Sequence, residues 1–123
     1  MAISYTVQVD GDTLYVKTQG SDDNVEEVVQ YGLAIIQAAQ AAGCRHVLCD
    51  ELALTYRLGT FDTFTVAETL SRHAPHVARV AIVCNPRYLP DAEFWETVAV
   101  NRGLTVRVFS QRTSAEAWLA AAQ

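Results

Sequence analysis

Two Cys-polar pairs have the residue types and spacing best suited to binding or catalysis. Cys49-Asp50 ends one predicted strand and Cys84-Asn85 ends the next. Parallel strands bring their carboxyl ends to one edge of a sheet, and open α/β sheets bind ligands there. Asp50 and Asn85 are therefore predicted to face a common crevice. Both residue types also cap turns, so a purely structural role is the alternative. The cysteines are expected to pack as small apolar groups.

Apolar and aromatic residues are concentrated in or beside the two connections that follow these strands. The first, residues 50–59, is long and apolar and includes Leu58. An apolar pocket could form there, with polar groups at its mouth. Its predicted lining is Tyr56, Phe61, Tyr88 and Trp95, and its predicted mouth is Asp50, Arg57, Asn85 and Arg87. A self-association patch and packing of these side chains on their own sheet remain open alternatives.

No catalytic motif is present, and the chain is predicted not to be an enzyme. It lacks a Gly-x-Ser-x-Gly elbow and a Gly-rich phosphate loop after any strand. Asp91, Glu93 and Glu96 fall in the third predicted helix, where the helix dipole favours acids near the first turn. His73 and His76 flank Pro75, which prevents them from sharing one helical face, so a surface turn is expected. Neither a metal nor a cofactor is expected.

Composition and length indicate which classes of protein the chain could belong to. The chain has 123 residues, a net charge of −5 and a single lysine, Lys17, which argues against phosphate-mediated nucleic-acid binding. A protein partner would more readily present a basic or apolar contact. Three cysteines, no signal-peptide pattern and no apolar run long enough to span a bilayer predict a cytoplasmic protein. The length predicts one domain over residues 1–123.

Hydrophobic periodicity predicts a mixed α/β sheet. Residues 4–9 and 14–19 alternate around a turn at Gly11 and predict an N-terminal β-hairpin. Helical patterns over 22–42, 61–73 and 90–102 are followed by strands over 46–49, 80–84 and 104–109, and a short helix ends the chain. Ser21, Thr60 and Thr113 are the predicted helix caps. The predicted fold class is therefore an α/β, mostly parallel five-stranded sheet with four helices.

This order of elements resembles the STAS-like superfamily, the SpoIIAA-like fold of anti-sigma-factor antagonists with SEC14-like relatives. The resemblance covers nearly the whole chain. It rests on the opening hairpin, the strand 46–50 ending in Asp50 before an irregular apolar loop, and the C-terminal segment 115–119, Ala-Glu-Ala-Trp-Leu.

The resemblance implies a bacterial regulatory or protein-interaction module without catalysis. The partner would be another protein or a second copy of the chain; the alternative is a binder of a small apolar, lipid-like ligand or a nucleotide. Phosphorylated members of the superfamily carry a serine in an Asp-Ser-Ser-Gly-like element at the start of a helix. In this chain only Gly59 and the hydroxyls of Thr55 and Thr60 resemble that element, and the serine is absent.

Overall fold

Nine regular elements and one short 3-10 turn make up the part of the fold that the structure describes. The computed structural model describes residues 2–73 and 79–121. In chain order the elements are β1 (Ser4–Asp10), β2 (Thr13–Ser21), α1 (Val25–Ala42), β3 (His46–Thr55), α2 (Thr60–Ser71), β4 (Arg79–Cys84), a 3-10 turn (Pro86–Tyr88), α3 (Leu89–Asn101), β5 (Val106–Phe109) and α4 (Arg112–Ala120).

The five strands form one sheet in the order β1-β2-β3-β4-β5. β1 runs antiparallel to β2 and closes the predicted hairpin, while β2, β3, β4 and β5 are mutually parallel. The four helices and the mixed, mostly parallel sheet confirm the predicted fold class.

The helices cover the sheet unequally. α1 and α3 pack on one face, where Ile35 and Ala99 meet Val47, Ile82 and other strand residues. α2 lies in the same layer and packs mainly against its neighbours α1 and α3. α4 lies alone on the opposite face.

The predicted end of the third strand is wrong. β3 continues past Asp50 to Thr55, so most of the predicted connection 50–59 is strand. The reason is that β2 extends to Ser21 through a register shift between Lys17 and Gln19, which gives the second half of β3 a pairing partner. Only the four residues 56–59 connect β3 to α2.

The three predicted helix caps are also wrong. Ser21 belongs to β2, and α1 is capped by Asn24, whose side chain accepts a hydrogen bond from the Glu27 amide at 3.1 Å. α2 and α4 begin after Gly59 and Gln111 without a side-chain cap, so Thr60 lies inside its helix. Thr113 likewise lies inside α4, and Ser21 is held in β2 by its pairing with Thr55.

The predicted second helix ends earlier than the sequence suggests. α2 stops at Ser71, with Arg72 as its C-cap. Pro75 and His76, which carried the predicted stop and half of the histidine turn, lie outside the described residues. The predicted apolar stripe of this helix is correct for Ala67 and Leu70, which are buried, but not for Phe61, which is exposed.

Candidate functional site

A cavity of about 270 Å³ lies between the sheet and the layer formed by α1, α2 and α3. The cavity is partly open to solvent, and it is larger than the voids that remain inside a closely packed domain core. It exists because α2 rests on its neighbouring helices and leaves room above the strands. Its walls are mainly apolar and include Ile35, Leu54, Val66, Ile82 and Trp95.

Glu51 is the main polar group in this cavity. It points from β3 on the same side of the sheet as Cys49, two residues before it, and it is only 7 % exposed. The Tyr56 hydroxyl donates to Oε1 at 2.5 Å, and the Tyr31 hydroxyl donates to Oε2 at 2.9 Å. Tyr31 also shares a hydrogen bond with the Thr18 hydroxyl at 2.8 Å. A buried carboxyl group is thus held directly by side chains from α1 and the β3–α2 connection, and Thr18 of β2 in turn holds Tyr31.

Burial changes the acidity of this group and of its partners. Desolvation raises the pKa of Glu51, although the hydrogen bonds from Tyr56 and Tyr31 oppose the rise. The pKa of each tyrosine is raised well above its ordinary value, first by burial and then by the nearby Glu51 charge. The phenols therefore remain protonated donors, as the geometry requires.

Asp22 is a second acid at the cavity wall. Its carboxylate accepts hydrogen bonds from the backbone amides of Arg57 and Leu58 and so fixes the β3–α2 connection. Burial raises its pKa to about 6, with the backbone hydrogen bonds acting in the opposite direction. Two acids with raised pKa values in one cleft mark a candidate functional site.

The cysteines show no sign of a reactive thiol. Burial raises the pKa of Cys49, with the Glu51 charge adding to the effect. The pKa of Cys84 is raised to about 11 by the same two causes in the same order. Cys84 pairs in register with Glu51 and Cys49 with Ile82, so the two thiols lie at different levels of neighbouring strands.

Three of the predicted site residues line this cavity, and a fourth packs beside it. Tyr56, Leu58 and Trp95 line it, and Tyr88 stacks on Tyr56 with ring centroids 5.7 Å apart. Trp95 points inward, whereas its neighbour Phe94 is exposed and packs edge-to-face on Phe64. These residues therefore lie at a cavity between the sheet and the helices.

Other predicted residues lie elsewhere. Asp50 pairs in register with Val83, on the face covered by α4, and its side chain accepts from the Leu52 amide at 3.2 Å. The premise that β3 ends at Asp50 is wrong, because β3 continues to Thr55, and neither Asp50 nor Asn85 is among the described residues that line the cavity. Asn85 caps the 3-10 turn by accepting from the Arg87 amide at 2.9 Å.

The rest of the predicted set lies in or beside the β3–α2 connection and in the 3-10 turn. Arg57, Thr60 and Arg87 are exposed, and Phe61 is 87 % exposed. Thr55 ends β3, and its carbonyl accepts from the Asp22 amide at 3.0 Å. Glu96 on α3 has a structural role, because it accepts from the Val108 amide of β5 at 2.7 Å.

Sequence reasoning missed Glu51, Asp22 and Tyr31. The signal for Glu51 lay in the alternation of residues 46–55, which continues through Asp50 and places Val47, Cys49 and Glu51 on one face. Asp22 was assigned to the start of α1, and Tyr31 has no sequence neighbour that marks it. Their convergence depends on tertiary packing of β2, β3 and α1.

Two of the solved structures that are similar to this chain illustrate the likeness. An anti-sigma factor antagonist from Mycobacterium paratuberculosis is 13 % identical, with a TM-score of 0.63 over 97 % of this chain and 95 % of that one. A protein of the DUF3478 family with a SpoIIAA-like fold from Shewanella loihica is 18 % identical, with a TM-score of 0.58 over 96 % and 94 % of the two chains.

This chain has a SpoIIAA-like fold. The resemblance drawn from element order is therefore confirmed for the fold. No protein-family model matches the chain, and no curated protein matches it significantly by sequence.

Within residues 2–73 and 79–121, no cluster of three or more His, Cys, Asp or Glu side chains could hold a metal ion. None of the helices in the same ranges is both long and apolar enough to cross a membrane.

Proposed function

We propose that the protein is a non-enzymatic regulatory module that binds another protein through the start of α2. The observation that carries this proposal is the 87 % exposure of Phe61, the second residue of that helix. Aromatic side chains are enriched at protein interfaces relative to the rest of the protein surface. The STAS-like fold supports the regulatory class, since one similar structure is an anti-sigma factor antagonist.

The surroundings of Phe61 suit a contact surface. Phe64 and Phe94 add two further exposed rings nearby on α2 and α3, packed edge-to-face at 5.8 Å. Arg102 lies over the Phe64 ring at 5.0 Å. Asp22 and the Tyr56–Tyr88 stack brace the neighbouring connection, so the surface is held in place before a partner arrives. Preorganisation of this kind lowers the entropy cost of association.

The proposed partner is an anti-sigma factor of the source organism. The test measures binding of the wild-type chain, Phe61→Ser and Val9→Ser to a panel of such factors by biolayer interferometry. Val9 is the matched control because it is a 50 % exposed apolar residue on β1, at the edge of the sheet. A central aromatic contact contributes about 2 kcal/mol or more, so Phe61→Ser should weaken binding at least tenfold.

Val9→Ser should leave the affinity unchanged. Absence of wild-type binding to every factor, or equal weakening by both substitutions, contradicts the proposal. Light scattering on the same samples distinguishes self-association through Phe61, which would give a wild-type dimer that Phe61→Ser dissociates.

A second candidate function is binding of a small, largely apolar molecule in the cavity. The observation that favours it is the 270 Å³ space with mainly apolar walls, which is near the lower end of ligand-pocket sizes. Nucleotides fit this space poorly, because none of the described lining residues is Lys, Arg or His.

A further inference from the structure

We propose that the cavity selects an amphipathic amine, an apolar body carrying one cationic nitrogen that bonds to Glu51. This inference rests on the second candidate function, ligand binding in the cavity, and names the chemistry of the ligand. It is independent of the protein contact at Phe61, which lies outside the cavity lining.

The charges around the cavity favour a cation. Its ionisable carboxyl groups are Glu51 and Asp22 inside the wall and Asp91 at an exposed position, and no basic side chain is among the described lining residues. A buried carboxylate is costly unless an opposite charge or hydrogen bonds compensate it. A ligand cation would supply the missing charge, whereas a carboxylate or phosphate would add like charge without a counter-ion.

The geometry of Glu51 leaves room for such a bond. Tyr56 donates to one carboxylate oxygen and Tyr31 to the other, and each oxygen has a second lone pair. The two phenols fix the carboxyl group in one orientation, so little side-chain entropy is lost when a ligand binds. A charge-assisted hydrogen bond to this preorganised acceptor is stronger than one to a neutral group.

The apolar walls of the cavity require the remainder of the ligand to be apolar. Ile35, Leu54, Val66, Ile82 and Trp95 come from helices and strands on every side of the space. Alkyl or aromatic carbon would be buried against them, and this burial supplies most of the binding free energy. A hydrated metal ion would leave these walls uncovered and lacks a ligand cluster among the described residues.

Three probes of one length separate charge from apolar burial: octylammonium, octan-1-ol and octanoate. Their dissociation constants for the intact chain are measured by isothermal titration calorimetry at pH 7.5. We expect octylammonium to bind at least tenfold more tightly than octan-1-ol, and octanoate to bind most weakly. Binding of octan-1-ol with no preference for the amine would overturn the inference and keep the apolar-ligand function. Binding of none of the three would overturn both.

Two variants test whether the preference for the amine depends on Glu51. Glu51→Gln should reduce the amine-to-alcohol preference to about one and leave octan-1-ol affinity unchanged; retention of the preference would overturn the role of Glu51. Glu93→Gln, at an exposed position on α3, is the matched control and should keep the preference.

Val28→Phe, which places a larger side chain at a cavity-lining position of α1, should weaken all three probes at least tenfold. Octylammonium binding that survives Val28→Phe reflects attraction to the acidic surface and would overturn the cavity site. If Glu51→Gln does not fold, the wild-type ranking of the three probes and Val28→Phe still decide the outcome.

Discussion

The two faces of the sheet are built differently. The face under α4 is filled by Leu48, Ala81, Val83, Ala115 and Leu119, with aromatic rings closing its edges. The face under α1, α2 and α3 holds a cavity with a buried acid and two tyrosines.

The α4 side also differs from the cavity lining in its basic side chains. On the α4 side, Arg79 lies 4.7 Å from the Trp118 ring centroid and donates to the Trp118 carbonyl at 3.1 Å, and Arg112 lies 5.3 Å from Tyr15. The cavity has acids and, among its described lining residues, no base. Close packing under α4 can stabilise the fold. The cavity and the buried carboxyl group on the other face lower its stability.

The sharpest test of this contrast compares a leucine from each face. Leu48→Ala, at a 1 % exposed position under α4, should lower the free energy of unfolding by about 3–5 kcal/mol, because a new void opens in close packing. Leu54→Ala, at the cavity wall, should cost about 2–3 kcal/mol, because Leu54 already borders empty space and loses fewer contacts. Urea denaturation measures both. Equal losses would show that the cavity is filled or collapsed in solution.

The second prediction uses the pH dependence of the buried acid. Because the folded-state pKa of Glu51 is raised, the folded chain binds this proton more tightly than the unfolded chain does. The resulting stability is present below the unfolded value of about 4.5 and is lost as the pH rises through the folded pKa. Glu51→Gln lacks this titration, so it should become more stable relative to wild type between pH 4 and pH 7.

Urea unfolding of both chains at pH 4, 5.5 and 7 checks this prediction. Asp22→Asn should remove a similar loss between pH about 4 and 6, the interval between the ordinary pKa of Asp22 and its raised value of about 6. Glu93→Gln is the control for a general charge effect. A pH-independent difference between wild type and Glu51→Gln would mean that Glu51 is not buried.

Local periodicity predicted the sheet and its helices because each element carries its own apolar face. The hairpin around Gly11 and the parallel strands were predicted correctly for this reason. The end of β3 was not, because the pairing that continues it to Thr55 comes from a register shift in β2, to which the β3 sequence gives no clue.

The candidate site was harder to predict than the fold. Tyr56 and Trp95 could be selected as apolar residues in or beside the two connections, and both line the cavity. The sequence pattern pointed to Asp50 as an acid at the end of a strand, and not to its neighbour Glu51. In the structure Asp50 faces the other side of the sheet. A site assembled from β2, β3, α1 and a connection has no signature in any single segment.

The smallest expected effect is the loss of stability on removing a surface ion pair. Comparing one pair from each side tests whether the two faces differ only in their cores. Glu68 pairs with Arg72 on α2 at 2.9 Å, and Glu116 pairs with Arg112 on α4 at 3.0 Å. Both are exposed i,i+4 pairs, so Glu68→Gln and Glu116→Gln should each lower the free energy of unfolding by about 0.5 kcal/mol or less. The two losses should agree within error and shrink in 1 M salt, as urea unfolding with and without salt would show. A loss above about 1 kcal/mol at only one pair would mean that the surface, and not only the core beneath it, distinguishes the faces.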